Sequence, residues 1–228
     1  GAEMISVRLE GTHPDNGDKS PEEACNVIKD VLSAVGVPIM VSGPSNFDKM
    51  NAVMKQVASE FAGENLLLNW AETDNHKTLA AAAMGYGHCL VCQTPIDVNM
   101  AKQLNILISD MGLPLDRVLM DPTTGALGYG IEYGYSVMER LRLAALQGDA
   151  MTQLPMIVTP GYEAWKAKES KVGSGVPGSW GDWEARAIHW ETLTAMTLVE
   201  SAANIVVLRH PESVKRVHLA IDDLMSAK

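Results

Sequence analysis

Cys89 and Cys92 form a Cys-x-x-Cys, a spacing that serves metal clusters and redox pairs. A cluster needs four such ligands, and Cys25 is the only other cysteine. A redox pair belongs at a helix N-terminus, whereas these two lie in an apolar strand-like run, where residues three apart face opposite ways. Buried structural thiols are the better reading. Asp74-Asn75-His76 begins like D-x-H-x-x-G, a pattern in which a histidine ligates cobalt, but its sixth position is Leu79. The segment opens a helix directly after a strand, so Asp74 or Thr73 is expected to cap that helix. The run Gly125-Ala126-Leu127-Gly128-Tyr129-Gly130 is neither G-x-G-x-x-G nor a P-loop. Its glycines either let the backbone turn tightly after a strand or let it pass close to a flat ligand.

A larger set of polar residues carries more information. Asn69, Glu72, Thr94, Asp97, Asp121, Thr124, Glu132, Tyr162, Glu163, Arg209 and His210 each follow a short apolar run. If those runs are the parallel strands of a barrel, their C-terminal ends converge on one rim, where ligand and catalytic groups gather. Taken singly, each also reads as a helix cap or turn residue. No order or spacing in the set matches a Ser-His-Asp arrangement, and no H-E-x-x-H occurs. Trp165, Trp180, Trp183 and Trp190 surround a Gly/Ser/Pro-rich stretch at 167–182, where they either meet a partner or large ligand, or pin the loop.

The elements that must position these groups alternate regularly. Strand-like runs fall at 4–9, 38–41, 66–70, 89–93, 117–120, 156–159 and 205–208, several of them nearly continuous in Val, Ile, Leu and Met. Helical patterns occupy 21–35, 47–61, 76–84, 99–111, 135–147, 184–202 and 212–225. Ser20-Pro21-Glu22-Glu23 is a capping box with proline at the first helical position, and His210-Pro211-Glu212 opens the last helix by the same logic. Gly36, Gly63, Gly112 and Gly148 stand where helix C-caps are expected. Alternating strands and helices of even length predict an α/β fold, a (β/α)8 TIM barrel formed by one domain over 1–228. Seven units are visible, so the first strand of the barrel is expected to be missing at the N-terminus. The long loops at 167–182 and 122–130 both follow strands, which places them on the functional face.

The chain has 228 residues, 46% of them hydrophobic, enough for a core without disulfide staples. A net charge of −10 argues against nucleic-acid binding, and no apolar run approaches the ~20 residues of a membrane span. Three cysteines and 13 methionines suit a reducing cytoplasm.

With these elements in place, several motifs form a recognisable series. They are Gly63-Glu64-Asn65-Leu66-Leu67-Leu68, Pro95-Ile96-Asp97-Val98-Asn99, Asp121-Pro122, Leu127-Gly128-Tyr129-Gly130-Ile131-Glu132-Tyr133, Met138-Glu139-Arg140, Gly161-Tyr162-Glu163-Ala164-Trp165 and Arg209-His210-Pro211-Glu212. The chain thereby resembles, over essentially its whole length, the small subunit of the corrinoid/iron–sulfur protein, which in archaea is the delta subunit family of acetyl-CoA decarbonylase/synthase. Members of that family are longer at the N-terminus, in agreement with the missing strand.

The resemblance implies a heterodimer with a large subunit that carries a [4Fe–4S] cluster and the corrinoid-binding domain. The barrel mouth of the small subunit would help cover the shared corrinoid (cobalamin), without catalysing a reaction alone. The methyl group would come from a methyltetrahydropterin through a pterin methyltransferase and pass to acetyl-CoA synthase/CO dehydrogenase, as in the Wood–Ljungdahl pathway or methanogenesis. Barrel geometry nominates Asn69, Thr94, Asp97, Asn99, Asp121, Thr124, Gly128, Tyr129, Glu132, Tyr162 and His210 for the corrinoid contact, with no metal ligand among them. Two alternatives remain open: a pterin-binding TIM-barrel methyltransferase, and an architectural subunit whose mouth is empty.

Overall fold

The computed structural model describes residues 1–125 and 127–226; Ala126, within the glycine-rich run, lies outside them. Its contacts divide the chain into two compact units. One holds Ala2–Thr94 and Asn99–Met120, the other Pro95–Val98 and Asp121–Lys228 together with Gly1.

The first unit contains a five-stranded sheet of β1 (Ile5–Arg8), β2 (Ile39–Ser42), β3 (Leu67–Ala71), β4 (Cys89–Gln93) and β5 (Val118–Asp121), whose final residue, Asp121, is counted with the other unit. The strands lie side by side in chain order, and β1 to β4 pair in parallel. Nothing in that order reverses, as it must at the switch point of a doubly wound sheet. Stepwise progress in one direction is what a barrel requires. β2 and β5 are buried at every residue, as strands covered on both faces should be. The covering helices are α1 (Pro21–Ala34), α2 (Phe47–Glu60), α3 (His76–Tyr86) and α4 (Val98–Asp110). α1 begins on a complete capping box: Ser20 Oγ accepts the Glu23 N–H at 3.2 Å, and the Ser20 N–H donates to Glu23 Oε2 at 2.8 Å.

The second unit contains α5 (Glu132–Leu146), the parallel pair β6 (Ile157–Val158) and β7 (Ile205–Val206), and the short helices α6 (Pro160–Glu163) and α7 (Lys168–Lys171). Two long helices, α8 (Trp183–Glu200) and α9 (Pro211–Ser226), complete it. Asp182 caps α8, its Oδ1 accepting the Ala185 N–H at 2.8 Å. At the start of α9 an imidazole takes the same role, with His210 Nδ1 accepting the Glu212 N–H at 3.1 Å.

Among the described residues, the seven strands and seven principal helices fall close to where the sequence pattern placed them, α5 starting three residues early. Two local expectations fail. α1 ends on Val35 in an extended conformation, so Gly36 supplies no left-handed cap, unlike Gly112 with φ 91°. At α3, neither Asp74 nor Thr73 caps the helix: Asn75 occupies the boundary, and its Oδ1 turns back to accept the Glu72 N–H at 2.7 Å. The backbone preceding α3 is itself turned, with the N–H of His76 bonded to the Glu72 carbonyl, so no side-chain cap forms.

Candidate functional site

In the second unit the ends of β5, β6 and β7 are joined by a short series of hydrogen bonds. Asp121, buried at the end of β5, accepts the Thr123 N–H at 2.9 Å and so fixes the turn that follows. The Oγ1 of Thr124 accepts the N–H of Thr159, the residue after β6, at 2.9 Å. The N–H of Gly161 donates to the carbonyl of Val207, just past β7, at 2.9 Å. A Cβ at Gly161 would lie 2.7 Å from the Arg209 nitrogen and 2.8 Å from the Val207 oxygen, so this approach admits only glycine.

Glu191 closes the series. It is fully buried in the middle of α8, and its carboxylate accepts the N–H groups of Arg209 at 2.5 Å and His210 at 3.2 Å. Those backbone groups orient the Arg209 and His210 side chains. The His210 ring stacks on Trp165 at 6.0 Å and 19°, and the Arg209 guanidinium lies over the same indole at 5.3 Å. Because Nδ1 of His210 accepts the capping hydrogen bond, a neutral ring carries its proton on Nε2, which sits 3.6 Å from Glu184 Oε1. The Nδ1 of that histidine is thus engaged by the backbone of α9. Among the described residues, no three His, Cys, Asp or Glu side chains come together as a metal-binding group.

Of the residues nominated from the sequence, Asp97, Asp121, Thr124, Gly128, Tyr129, Glu132, Tyr162 and His210 all belong to this unit. Thr124 bonds the residue after β6, Tyr162 lies on the short helix α6, whose Gly161 bonds Val207, and His210 follows three residues after that contact. Asp97 lies in the segment whose Ile96 side chain approaches Gly125. Tyr129 is 89% exposed beside the exposed Gly128, and Glu132 is exposed in the first turn of α5. Asn69, Thr94 and Asn99 belong to the other unit. There Asn69 is buried and donates to Ser42 Oγ at 2.8 Å, Thr94 is buried, and Asn99 is exposed at the start of α4.

The cysteines behave as structural thiols. Burial pushes Cys92 up to about 12 and Cys25 up to about 11, and it also raises Cys89, so these groups are protonated at neutral pH, the opposite of a ligating thiolate. His76 of the Asp-Asn-His run is buried, with Nδ1–H donating to the Thr73 carbonyl at 2.6 Å, and serves its own turn.

The long loop at 167–182 is fastened chiefly by a side chain that no motif or spacing singles out. Arg186 on α8 donates to four carbonyls: Glu169 at 2.5 Å, Val172 at 2.6 Å, and Trp180 and Gly181 at 3.2 Å each. It also lies over the Trp180 ring at 5.4 Å. Trp183 adds an Nε1–H bond to the Ser170 carbonyl at 2.7 Å. The loop, α8 and the segment leading into α5 line an open cavity of about 640 Å³, whose walls include Leu127, Ile131, Trp180, His189, Trp190 and Leu193. Glu191 was more accessible to sequence reasoning than Arg186. It stands on the helical stripe of Ala187, Ile188, Thr194, Ala195 and Leu198, and a carboxylate on an apolar stripe demands a buried partner.

Residues 1–219 match the family model of the CO dehydrogenase/acetyl-CoA synthase delta subunit. The chain belongs to that family. It is 39% identical over 218 residues to the acetyl-CoA decarbonylase/synthase complex subunit delta of Methanosarcina mazei, covering 93% of this chain and 50% of the relative. It is 38% identical over 228 residues to the corresponding subunit of Methanothermobacter thermautotrophicus, covering 94% and 54%. The chain thus spans about half the length of these relatives. Among solved structures, a Yersinia pestis dihydropteroate synthase with a sulfonamide drug complex superposes with a TM-score of 0.65 at 16% identity, over 100% of this chain and 82% of that one. The Thermus thermophilus enzyme gives 0.63 at 16%, over 100% and 84%. At such identity the likeness shows the fold, which is that of the (β/α)8 TIM-barrel class, in agreement with the strand order.

Proposed function

We propose that this chain, a single barrel domain, is the barrel of the small subunit of a corrinoid/iron–sulfur methyl carrier. In this reading it pairs with a large subunit that holds the [4Fe–4S] cluster and most of the corrinoid, in the cytoplasm. The observation that carries the reading is the family match over residues 1–219 to delta subunits of acetyl-CoA decarbonylase/synthase.

The residues present fit a covering role better than a ligating one. The rim residues Asp121, Thr124 and His210 spend hydrogen bonds on backbone N–H groups, which stiffens the loops instead of presenting ligands. Tyr129 offers an exposed aromatic face between glycines, where a flat macrocycle can approach the backbone. A bound corrinoid would supply the cobalt that carries the methyl group between a methyltetrahydropterin and acetyl-CoA synthase. The chain's own part is to orient and to exclude water. Asp97, Gly128, Tyr129, Glu132 and Tyr162, all of the second unit, would meet the ring.

Cobalamin titration of the chain with and without its large subunit tests the reading. Weak binding alone and tight binding in the heterodimer are expected; tight binding by the chain alone contradicts it. Alanine at Asp97 or Glu132 should slow methyl transfer by the heterodimer, whereas unchanged transfer would favour an architectural subunit. The solved Yersinia pestis structures include one with a pterine–sulfa conjugate, which motivates one control: calorimetric binding of methyltetrahydrofolate by the isolated chain would favour a pterin methyltransferase.

A further inference from the structure

The cavity between α8, the 167–182 loop and the approach to α5 has no part in the reading above. Its volume of about 640 Å³ lies within the ~300–1,000 Å³ range of small-molecule sites. Two indoles, Trp180 and Trp190, stand among its walls, with Leu127 and Ile131 contributing aliphatic surface. Trp180 is held by Arg186, which bonds the Trp180 carbonyl and lies over its ring, so that wall is formed before any ligand arrives. Pre-formed aromatic walls favour a flat ring over a flexible chain, because little side-chain entropy is lost on binding.

His189 supplies the polar discrimination. Its Nδ1 lies 2.6 Å from the Ala185 carbonyl, and since a carbonyl only accepts, that nitrogen bears the proton. The neutral ring therefore presents Nε2 as a lone-pair acceptor at an exposed side chain lining the cavity.

We propose that this cavity binds a flat bicyclic nitrogen heteroaromatic ring whose N–H or amino edge donates to Nε2 of His189. A pterin and a purine nucleoside share that chemistry, and separate probes distinguish them. The full chain is titrated with folic acid and with adenosine, each followed by calorimetry, with tryptophan quenching as a second signal. Saturable binding of at least one probe is expected at pH 7.5. His189→Leu should weaken it about tenfold, while His189→Gln, which keeps an acceptor, recovers part of the loss. Trp180→Leu should weaken it at least as much, with circular dichroism confirming that each variant folds. Absence of saturable binding by either probe at millimolar concentration overturns the proposal. So does binding that is indifferent to both His189→Leu and Trp180→Leu. Neither overturning outcome bears on corrinoid binding by the heterodimer. Pterin binding that His189→Leu weakens is assigned to this cavity, whereas pterin binding indifferent to it counts toward the methyltransferase alternative, so the two readings fail separately.

Discussion

Several buried polar side chains in this protein are occupied with backbone groups, and two of them make measurable predictions. His88 is fully buried, with Nδ1 accepting the Leu66 N–H at 3.1 Å and Nε2–H donating to the Ala58 carbonyl at 2.9 Å. Removing the ring strands one donor and one acceptor, so His88→Ala should cost roughly 2–5 kcal/mol in a urea melt, including the cavity left behind. Burial, opposed in part by the Ala58 hydrogen bond, lowers the pKa of His88 below the ordinary 6.5. The folded state thus resists taking up a proton that the unfolded chain accepts. Stability from this group is complete above about 6.5 and declines as pH falls through the lowered value, and melts between pH 7.5 and 5 should show that fall reduced in His88→Gln. Glu191 likewise serves backbone donors. Glu191→Leu leaves the N–H groups of Arg209 and His210 without their carboxylate and should cost about 2–4 kcal/mol, whereas Glu191→Gln keeps an acceptor and costs less. The sequence exposed only half of this arrangement: the acid on an apolar helix face is visible, but its partners are backbone groups 18 and 19 residues away. Backbone donors carry no residue-type signature.

At the scale of elements, apolar runs and capping residues were the legible signals, because each is local. Ser20 and Glu23 specify the start of α1 by themselves, and Ser20→Ala should cost about 1 kcal/mol by thermal melting. α5 was less legible. It begins at Glu132, three residues before the periodic pattern suggested, because Glu132 and Tyr133 are exposed and contribute no apolar stripe. The close approach at Gly161 was equally hidden, since it depends on backbone atoms of the residues that follow β7. Gly161→Ala must push α6 away from Arg209 and is expected to destabilise by roughly 2 kcal/mol, read in the same melts. The ordered loop at 167–182 looked, from its Gly, Ser and Pro content, like an irregular excursion. Arg186→Lys replaces a planar fork by a single ammonium that cannot reach four carbonyls. Limited proteolysis should then cut within 167–182 about tenfold faster, with little change in the global melting temperature.

For the whole molecule, the progression of strands in chain order was the most readable property, and family membership and the superposed barrels agree with it. Periodicity cannot show which strand-end residues share a site. The nominated set divides between the two compact units, and hydrogen bonding unites only part of it. No helix is long and apolar enough to cross a membrane among the described residues. The proposed assembly into a methyl carrier is tested best by the cobalamin titration with and without a large subunit.

The fastening of the 167–182 segment has an evolutionary consequence. Arg186 grips main-chain oxygens, which every amino acid possesses, so the attachment is blind to the identity of the residues it restrains. Most positions between the gripped carbonyls are free to drift, or to be rewritten by an engineer, while the surface keeps its contour. The tether on α8 has no such freedom, and a homologue that changed it would need a different way to hold the segment down.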